Sequence, residues 1–272
     1  MKPHGSSLKQ NMGKRGNEKM TANEYLLSVV NKYKLPEIDY ITEILVINPL
    51  KTIIEEWANN YLCEVKLSGS RAKGTAISLS SDLDLFISLS SVTPGSLKGI
   101  YESLFTYVYE KNLKPRRQNV SIGVQLQGKS VDLVPARRES QYGNDHSLYR
   151  RKADTWTKTN IDTHISQVRN SDRINEIVAL KIWKQRHELE FPSIYLETFA
   201  LDALSGRSHT DHSGNFLHLL ACISNNIETK RIVDPANTNN ILSDELTATE
   251  KRALKEQASK SLTEKYWANI IC

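Results

Sequence analysis

Apolar positions recur at helical spacing between residues 22 and 61: Tyr25, Leu26, Val29 and Val30, then Ile41, Ile44 and Leu45, then Ile53, Ile54 and Trp57. Pro36 interrupts the run. From Cys63 the period changes. CEVKLSGS predicts a short strand ending in a turn, and ISLSSDLDLFISLS a second strand with strict alternation. Residues 97–112 return to the helical period. VSIGVQLQ and KSVDLVPA predict two more strands, joined by a turn at Gly128-Lys129.

After Pro135 the strand signal fades. A long helix is expected from Arg173 to Leu189, with further helices over YLETFALDAL and GNFLHLLACISNNI. Thr247-Ala248-Thr249-Glu250 has the form of a capping box, which opens a last helix. The order is therefore helix, small mixed sheet, then a helical C-terminal lobe. Residues 1–20 are polar and basic and predict a disordered tail; residues 21–160 form one lobe with its N-terminal helices, and residues 161–272 the helical lobe.

The chemistry concentrates in LSGSRAKGTAISLSSDLDLFISL, residues 67–89. Asp82 and Asp84 stand two apart on a predicted strand, so their carboxylates share a face while Leu83, Leu85 and Ile87 enter the core. Acids roughly 7 Å apart repel each other unless a cation lies between them. Oxygen ligands favour Mg²⁺, or Mn²⁺ in its place. A two-ion site calls for a third carboxylate from a neighbouring strand, and Asp132, between Val131 and Leu133, supplies it. The reaction this implies is in-line attack of a hydroxyl on an α-phosphorus, with pyrophosphate leaving and Asp132 accepting the hydroxyl proton. Upstream, Gly69-Ser70 and Gly74-Thr75 frame a glycine-containing turn whose amides can approach phosphate oxygens, with Ser70 donating to the β- or γ-phosphate.

The ordered set Gly69-Ser70, Asp82-x-Asp84 and Asp132 resembles the nucleotidyltransferase superfamily of DNA polymerase β. The longer form GSRAKGT…SDLDL…VDLVPA, with ALKIWKQ at 179–185, FPSIYLETF at 191–199 and RIVDPANTNNIL at 231–242, is similar to the bacterial cGAS/DncV-like nucleotidyltransferases, the CD-NTases. That resemblance implies an α+β fold: a polymerase β-like core of small mixed sheet and flanking helices, plus a helical C-terminal lobe. It implies two Mg²⁺ (or Mn²⁺) ions on Asp82, Asp84 and Asp132. It implies triphosphate contacts from Lys181 and Ser193. The family often places an aromatic directly after the matching serine to stack on the base; here Ile194 follows, and Tyr195 is the aromatic at hand. Lys181 also stands out without the resemblance, because it shares a helical stripe with Ile174, Ile177 and Val178. Such a lysine binds an anion, pairs with an internal Glu, or snorkels.

Composition adds limits. Of 272 residues, 39% are hydrophobic and 25% charged, ordinary for a soluble globular chain. The balance of 36 Lys and Arg against 31 Asp and Glu gives +5, too even to signal a long nucleic-acid footprint. Cys63, Cys222 and Cys272 form no CxxC pair, which speaks against a disulfide framework or a cysteine zinc site and for the cytoplasm. No run suits a membrane span or a secretory leader. Arg116-Arg117, Arg137-Arg138 and Arg150-Arg151-Lys152 either guide a second nucleotide or RNA end, or are solvated faces. His209 and His212 with Asp211 form either a metal site or a polar loop.

These features predict a nucleotidyltransferase that joins ribonucleoside triphosphates into a cyclic or short linear oligonucleotide messenger in bacterial anti-phage signalling, with a nucleic-acid or protein activator as a further partner. The alternatives are template-independent RNA extension of the CCA-adding type, with an RNA acceptor, and a catalytically silent nucleotide-binding or toxin-partner module.

Overall fold

The computed structural model describes residues 20–80 and 82–272; residues 1–19, most of the expected tail, lie outside the described residues. The N-terminal segment forms α1 (Ala22–Tyr33), α2 (Tyr40–Thr42) and α3 (Asn48–Ala58). A strand β1 (Leu62–Ser68) runs into a short helix α4 (Gly69–Lys73), then β2 (Leu83–Leu89) and α5 (Leu97–Glu110). Five strands follow: β3 (Arg116–Arg117), β4 (Ile122–Leu126), β5 (Lys129–Arg138), β6 (His146–Arg150) and β7 (Thr155–Thr159). The helical half comprises α6 (Ile161–Arg169), α7 (Ile174–Arg186), α8 (Ser193–Ala203) and α9 (His212–Asn226). A hairpin of β8 (Val233–Asp234) and β9 (Asn237–Ile241) precedes α10 (Ala248–Thr263) and α11 (Trp267–Ile270). The architecture is the expected one: a mixed sheet with flanking helices and a helical lobe.

The main sheet has the order β1-β2-β5-β4-β3, with β6 and β7 added beyond β5. Among the described residues β2 and β5 pair in parallel, and the other pairs of this sheet are antiparallel. One face of β2 and β5 carries Leu85, Ile87, Val131 and Leu133, which pack with Leu50 and Ile54 of α3 and Leu104 of α5. A second core gathers Ile177, Leu180 and Trp183 of α7, Phe199 of α8 and Phe216 of α9. α1 belongs to this second core through Leu26, Val29 and Val30. Thr247 and Glu250 form the expected capping box on α10. Among the described residues no helix is long and apolar enough to cross a membrane.

Four local expectations are corrected. A π-helical turn, Glu43–Ile47, joins α2 to α3. Its wider winding shifts the buried stripe to Val46, Ile47 and Leu50, and Ile41, Ile44 and Leu45 face outward. The second strand begins at Leu83, not Ile77, because Ile77 instead bridges to Lys34 and Ser78 donates its amide to the Tyr33 carbonyl. The hairpin turn lies at Gln127 and Gly128, both at positive φ, and Lys129 already belongs to β5. Strands do continue past Pro135: β6 and β7 form a hairpin on the end of β5.

Leu26 is fully buried between α1 and the helical lobe. Leu26→Ala is expected to lower stability by about 2–5 kcal/mol, measurable by urea denaturation.

Candidate active site

Pairing register creates the site. On the parallel β2–β5 pair, Asp84 lies directly across from Asp132, and on the antiparallel β1–β2 pair Ser68 lies across from Asp84. Because side chains alternate along each strand, Leu85 and Leu133 point into the sheet core while the two acids share the other face. Asp82 stands just ahead of β2 and is exposed. The structure thus brings the three predicted carboxylates to one end of the sheet.

Their mutual cost is legible in their acidities. Burial, then the charges of Asp132 and Asp82, push the Asp84 carboxyl up to about 7, against the pull of Lys73 and Lys181. Burial and Asp82 also raise Asp132, although hydrogen bonds from Ser121 and Gln118 and the Arg116 charge pull the other way. Gln118 Nε2 donates to Asp132 Oδ1 at 2.7 Å, and Ser121 Oγ to Oδ2 at 3.3 Å. Crowded carboxylates that resist ionisation fit a hard divalent cation, which favours their charged form. Among the described residues, no three His, Cys, Asp or Glu side chains close on a single point. Ligands divided between two ions, with phosphates completing each shell, need no such closure.

Gly69 and Ser70 open α4 directly after β1. Gly69 has φ +59°, and a Cβ there would lie 1.8 Å from Asp84 Oδ2. Glycine is therefore required twice, for backbone conformation and for room beside the acid. A cavity of about 170 Å³ opens here, lined by Gly69, Lys73, Asp84, Thr159 and His164 among others. A second, of about 580 Å³, lies between the lobes, with Asn119, Arg150, Lys152 and Thr157 on one wall and Pro192, Asn240, Asp244 and Glu245 on the other. A cavity of similar size around Trp156 holds Arg137 of the basic clusters but none of the predicted carboxylate or triphosphate-binding residues.

The remaining predicted residues divide. Lys181 is buried, and its ammonium bonds Glu197 and Thr75, so the internal Glu pairing is present. Ser193 is exposed at the first turn of α8, next to Pro192 on the interlobe cavity. Tyr195 is fully buried, packed edge-on against Phe191 and Phe199. It falls on the inward stripe of α8 with Leu196 and Phe199, which offers no face for a base to stack on. Its hydroxyl is raised to about 12 by burial and by Asp244.

Of the basic clusters, Arg150 and Lys152 line the interlobe cavity, and Arg151 donates to the Gln118 carbonyl. Arg117 pairs with Glu102, Arg137 donates to the Thr93 and Gly95 carbonyls, and Arg138 to Ser88 Oγ. His212 bonds Glu176 and Asp211 caps α9, so these two serve the helical lobe. Sequence reasoning missed Gln118, Ser121, Lys73 and Glu197. Lys73 and Glu197 sit inside quoted motifs, GSRAKGT and FPSIYLETF, without a role assigned.

No protein-family model and no curated protein matches the chain. Solved structures do. CdnC of E. coli MS115-1, solved with ATP, is 18% identical, with 89% of this chain and 91% of that one covered at a TM-score of 0.74. CdnG, a CD-NTase of Bradyrhizobium diazoefficiens solved with GTP, is 13% identical over 89% and 90% at a TM-score of 0.71. The chain has the CD-NTase fold. The CdnE cyclic dinucleotide synthase of Elizabethkingia meningoseptica, solved with GTP and Apcpp, shares that fold at 13% identity, over 89% and 99%, with a TM-score of 0.64. The likeness seen in the motifs thus holds for the CD-NTase fold across nearly the whole chain.

Two predictions follow from the geometry. With Asp84 raised to about 7, the folded protein holds a proton that the unfolded chain releases above its ordinary value of 3.8. Metal-free stability from this group is full at low pH and lost as pH rises through about 7. The rise in melting temperature on adding Mg²⁺ is therefore expected to grow between about pH 6 and about pH 8, and to vanish in Asp84→Asn. Gly128 also has positive φ, but a Cβ there meets nothing within 4 Å. Gly128→Ala should cost only the backbone strain of about 1–2 kcal/mol and keep the Mg²⁺ response, whereas Gly69→Ala should abolish that response, both read from thermal melts.

Proposed function

We propose that the chain is a divalent-metal-dependent nucleotidyltransferase that joins ribonucleoside triphosphates into a cyclic or short linear oligonucleotide. The observation that carries this is the in-register pair Asp84 and Asp132 beside Gly69-Ser70. The ATP bound to CdnC and the GTP bound to CdnG support triphosphates as substrates. The name of CdnE, a cyclic dinucleotide synthase, supports the cyclic product.

Asp82, Asp84 and Asp132 would hold two Mg²⁺ ions. When bound, such ions lower the pKa of an attacking hydroxyl and neutralise a departing pyrophosphate. The chain's own residues do the rest. Gly69 lets the Asp84 carboxylate lie against its backbone, and Ser70 at the start of α4 donates to the phosphate oxygens. Lys181, whose charge also acts on Asp84, balances the phosphate charge. Gln118 and Ser121 fix the Asp132 carboxylate, so that one oxygen faces the hydroxyl whose proton it accepts. The interlobe cavity, cationic at Arg150 and Lys152 and acidic at Asp244 and Glu245, accommodates a second nucleotide. Such a product fits a role in bacterial anti-phage signalling in the cytoplasm, with activity gated by a nucleic-acid or protein partner.

The test is incubation with all four ribonucleoside triphosphates and Mg²⁺ or Mn²⁺, without RNA, followed by phosphatase and mass spectrometry. A phosphatase-resistant cyclic oligonucleotide is expected from the wild type. It should be absent from the folded Asp82→Asn, Asp84→Asn double variant. Undiminished product from that variant would refute the carboxylate assignment. Transfer only onto added tRNA would replace messenger synthesis with RNA extension.

A further inference from the structure

One buried acid near the cleft has no part in the chemistry so far. Glu197 of α8 is 2% exposed. Its Oε2 accepts from Lys73 Nζ at 2.7 Å. Its Oε1 accepts from Lys181 Nζ at 2.6 Å and from the Thr75 hydroxyl at 3.2 Å. Lys181 Nζ also donates to Thr75 Oγ1 at 2.8 Å. Lys73 and Thr75 come from the segment between β1 and β2, whereas Lys181 and Glu197 come from α7 and α8 of the helical lobe. Burial pushes the Glu197 carboxyl up, but the two ammonium groups more than reverse this and hold it at about 2.

Each lysine ammonium has three donors. Lys73 gives one to Glu197, and Lys181 gives one each to Glu197 and Thr75. Lys73 therefore keeps two N–H bonds, and Lys181 one, for another acceptor. Lys73 lines the same cavity as Ser68, Gly69 and Asp84. A free lysine side chain has rotamer entropy to lose, so ammonium groups fixed in advance bind phosphate at a smaller ordering cost.

We propose that Glu197 is a positioning residue: it holds the Lys73 and Lys181 ammonium groups so that their remaining N–H bonds meet the β- and γ-phosphates of a nucleoside triphosphate seated at Gly69-Ser70. This rests on the triphosphate reading of the site. It adds Lys73 as a phosphate contact and Glu197 as the group on which both lysines depend.

Charge and position predict opposite signs. Removing the Glu197 charge leaves two ammonium groups unopposed, which by charge alone would tighten the binding of a polyanion. Loss of position weakens it. The experiment is calorimetric titration of wild type, Glu197→Gln and Lys73→Met with ATP and GTP, each with Mg²⁺, and with AMP and GMP, alongside a thermal melt of each protein. Glu197→Gln is expected to lose about tenfold in triphosphate affinity with monophosphate affinity unchanged. Lys73→Met, which keeps the Glu197–Lys181 pair, should show the same selective loss. Unchanged or tighter triphosphate binding by folded Glu197→Gln would overturn the proposal. So would an equal loss for monophosphate and triphosphate, the mark of a cleft that has merely loosened. If Glu197→Gln does not fold, an unaltered triphosphate preference in Lys73→Met overturns it alone. A wild type that binds neither triphosphate would instead remove the reading on which the proposal stands.

Discussion

Two like charges are held side by side by backbone pairing. The parallel register of β2 on β5 leaves Asp84 and Asp132 no freedom to separate, since each is flanked by leucine or valine committed to the core. Many nearby features accommodate that repulsion. Gly69 omits a side chain where one would collide with Asp84. Gln118 and Ser121 supply hydrogen bonds to Asp132. Lys73 of α4 and Lys181 of α7 offset the repulsion at Asp84 with their charge, and their own excess charge is moderated by Glu197. A cluster of this kind is costly without its ligands, and this links the acidity of Asp84 to the stability of the fold.

The N-terminal half of the chain is joined to the helical lobe through two kinds of contact. α1 packs against α7 and α9 with aliphatic side chains, a non-directional attachment. Near the carboxylates the attachment is polar and directional, through Glu197, the two lysines and Thr75. The first contact fixes stability more than orientation. The second fixes orientation within the limits of hydrogen-bond geometry, about 3 Å from donor to acceptor.

The sequence made the carboxylates legible because their signal is local. Acids alternating with aliphatics require a strand with one buried face, and the Gly-Ser step ahead of them marks a tight turn. The partners of those acids were hidden because they arrive through tertiary packing. Nothing in the spacing of Lys73, Lys181 and Glu197 announces that they meet. Tyr195 was misplaced because nearness to Ser193 in sequence does not say which way a helical residue faces; two steps along α8 turn a side chain through about 200°, from cleft to core. The π-turn at Glu43–Ile47 was invisible for a related reason, since its wider turn moves the apolar stripe without altering composition. β6 and β7 escaped notice because SLYR and TWTKT alternate polar and apolar residues too briefly to stand out.

The position of β5 has a bearing on how the chain comes into being. During synthesis β1, α4 and β2 leave the ribosome well before β5, which must later insert between β2 and β4. Until it does, LDLFISL presents an unpaired apolar edge, the kind of segment that recruits foreign strands. Parallel pairing across a helical crossover also closes slowly, because the intervening loop entropy is lost before any contact compensates it. The nascent chain therefore lacks the Asp84–Asp132 pair and has an aggregation-prone margin over the same interval, and both conditions end with the arrival of one strand.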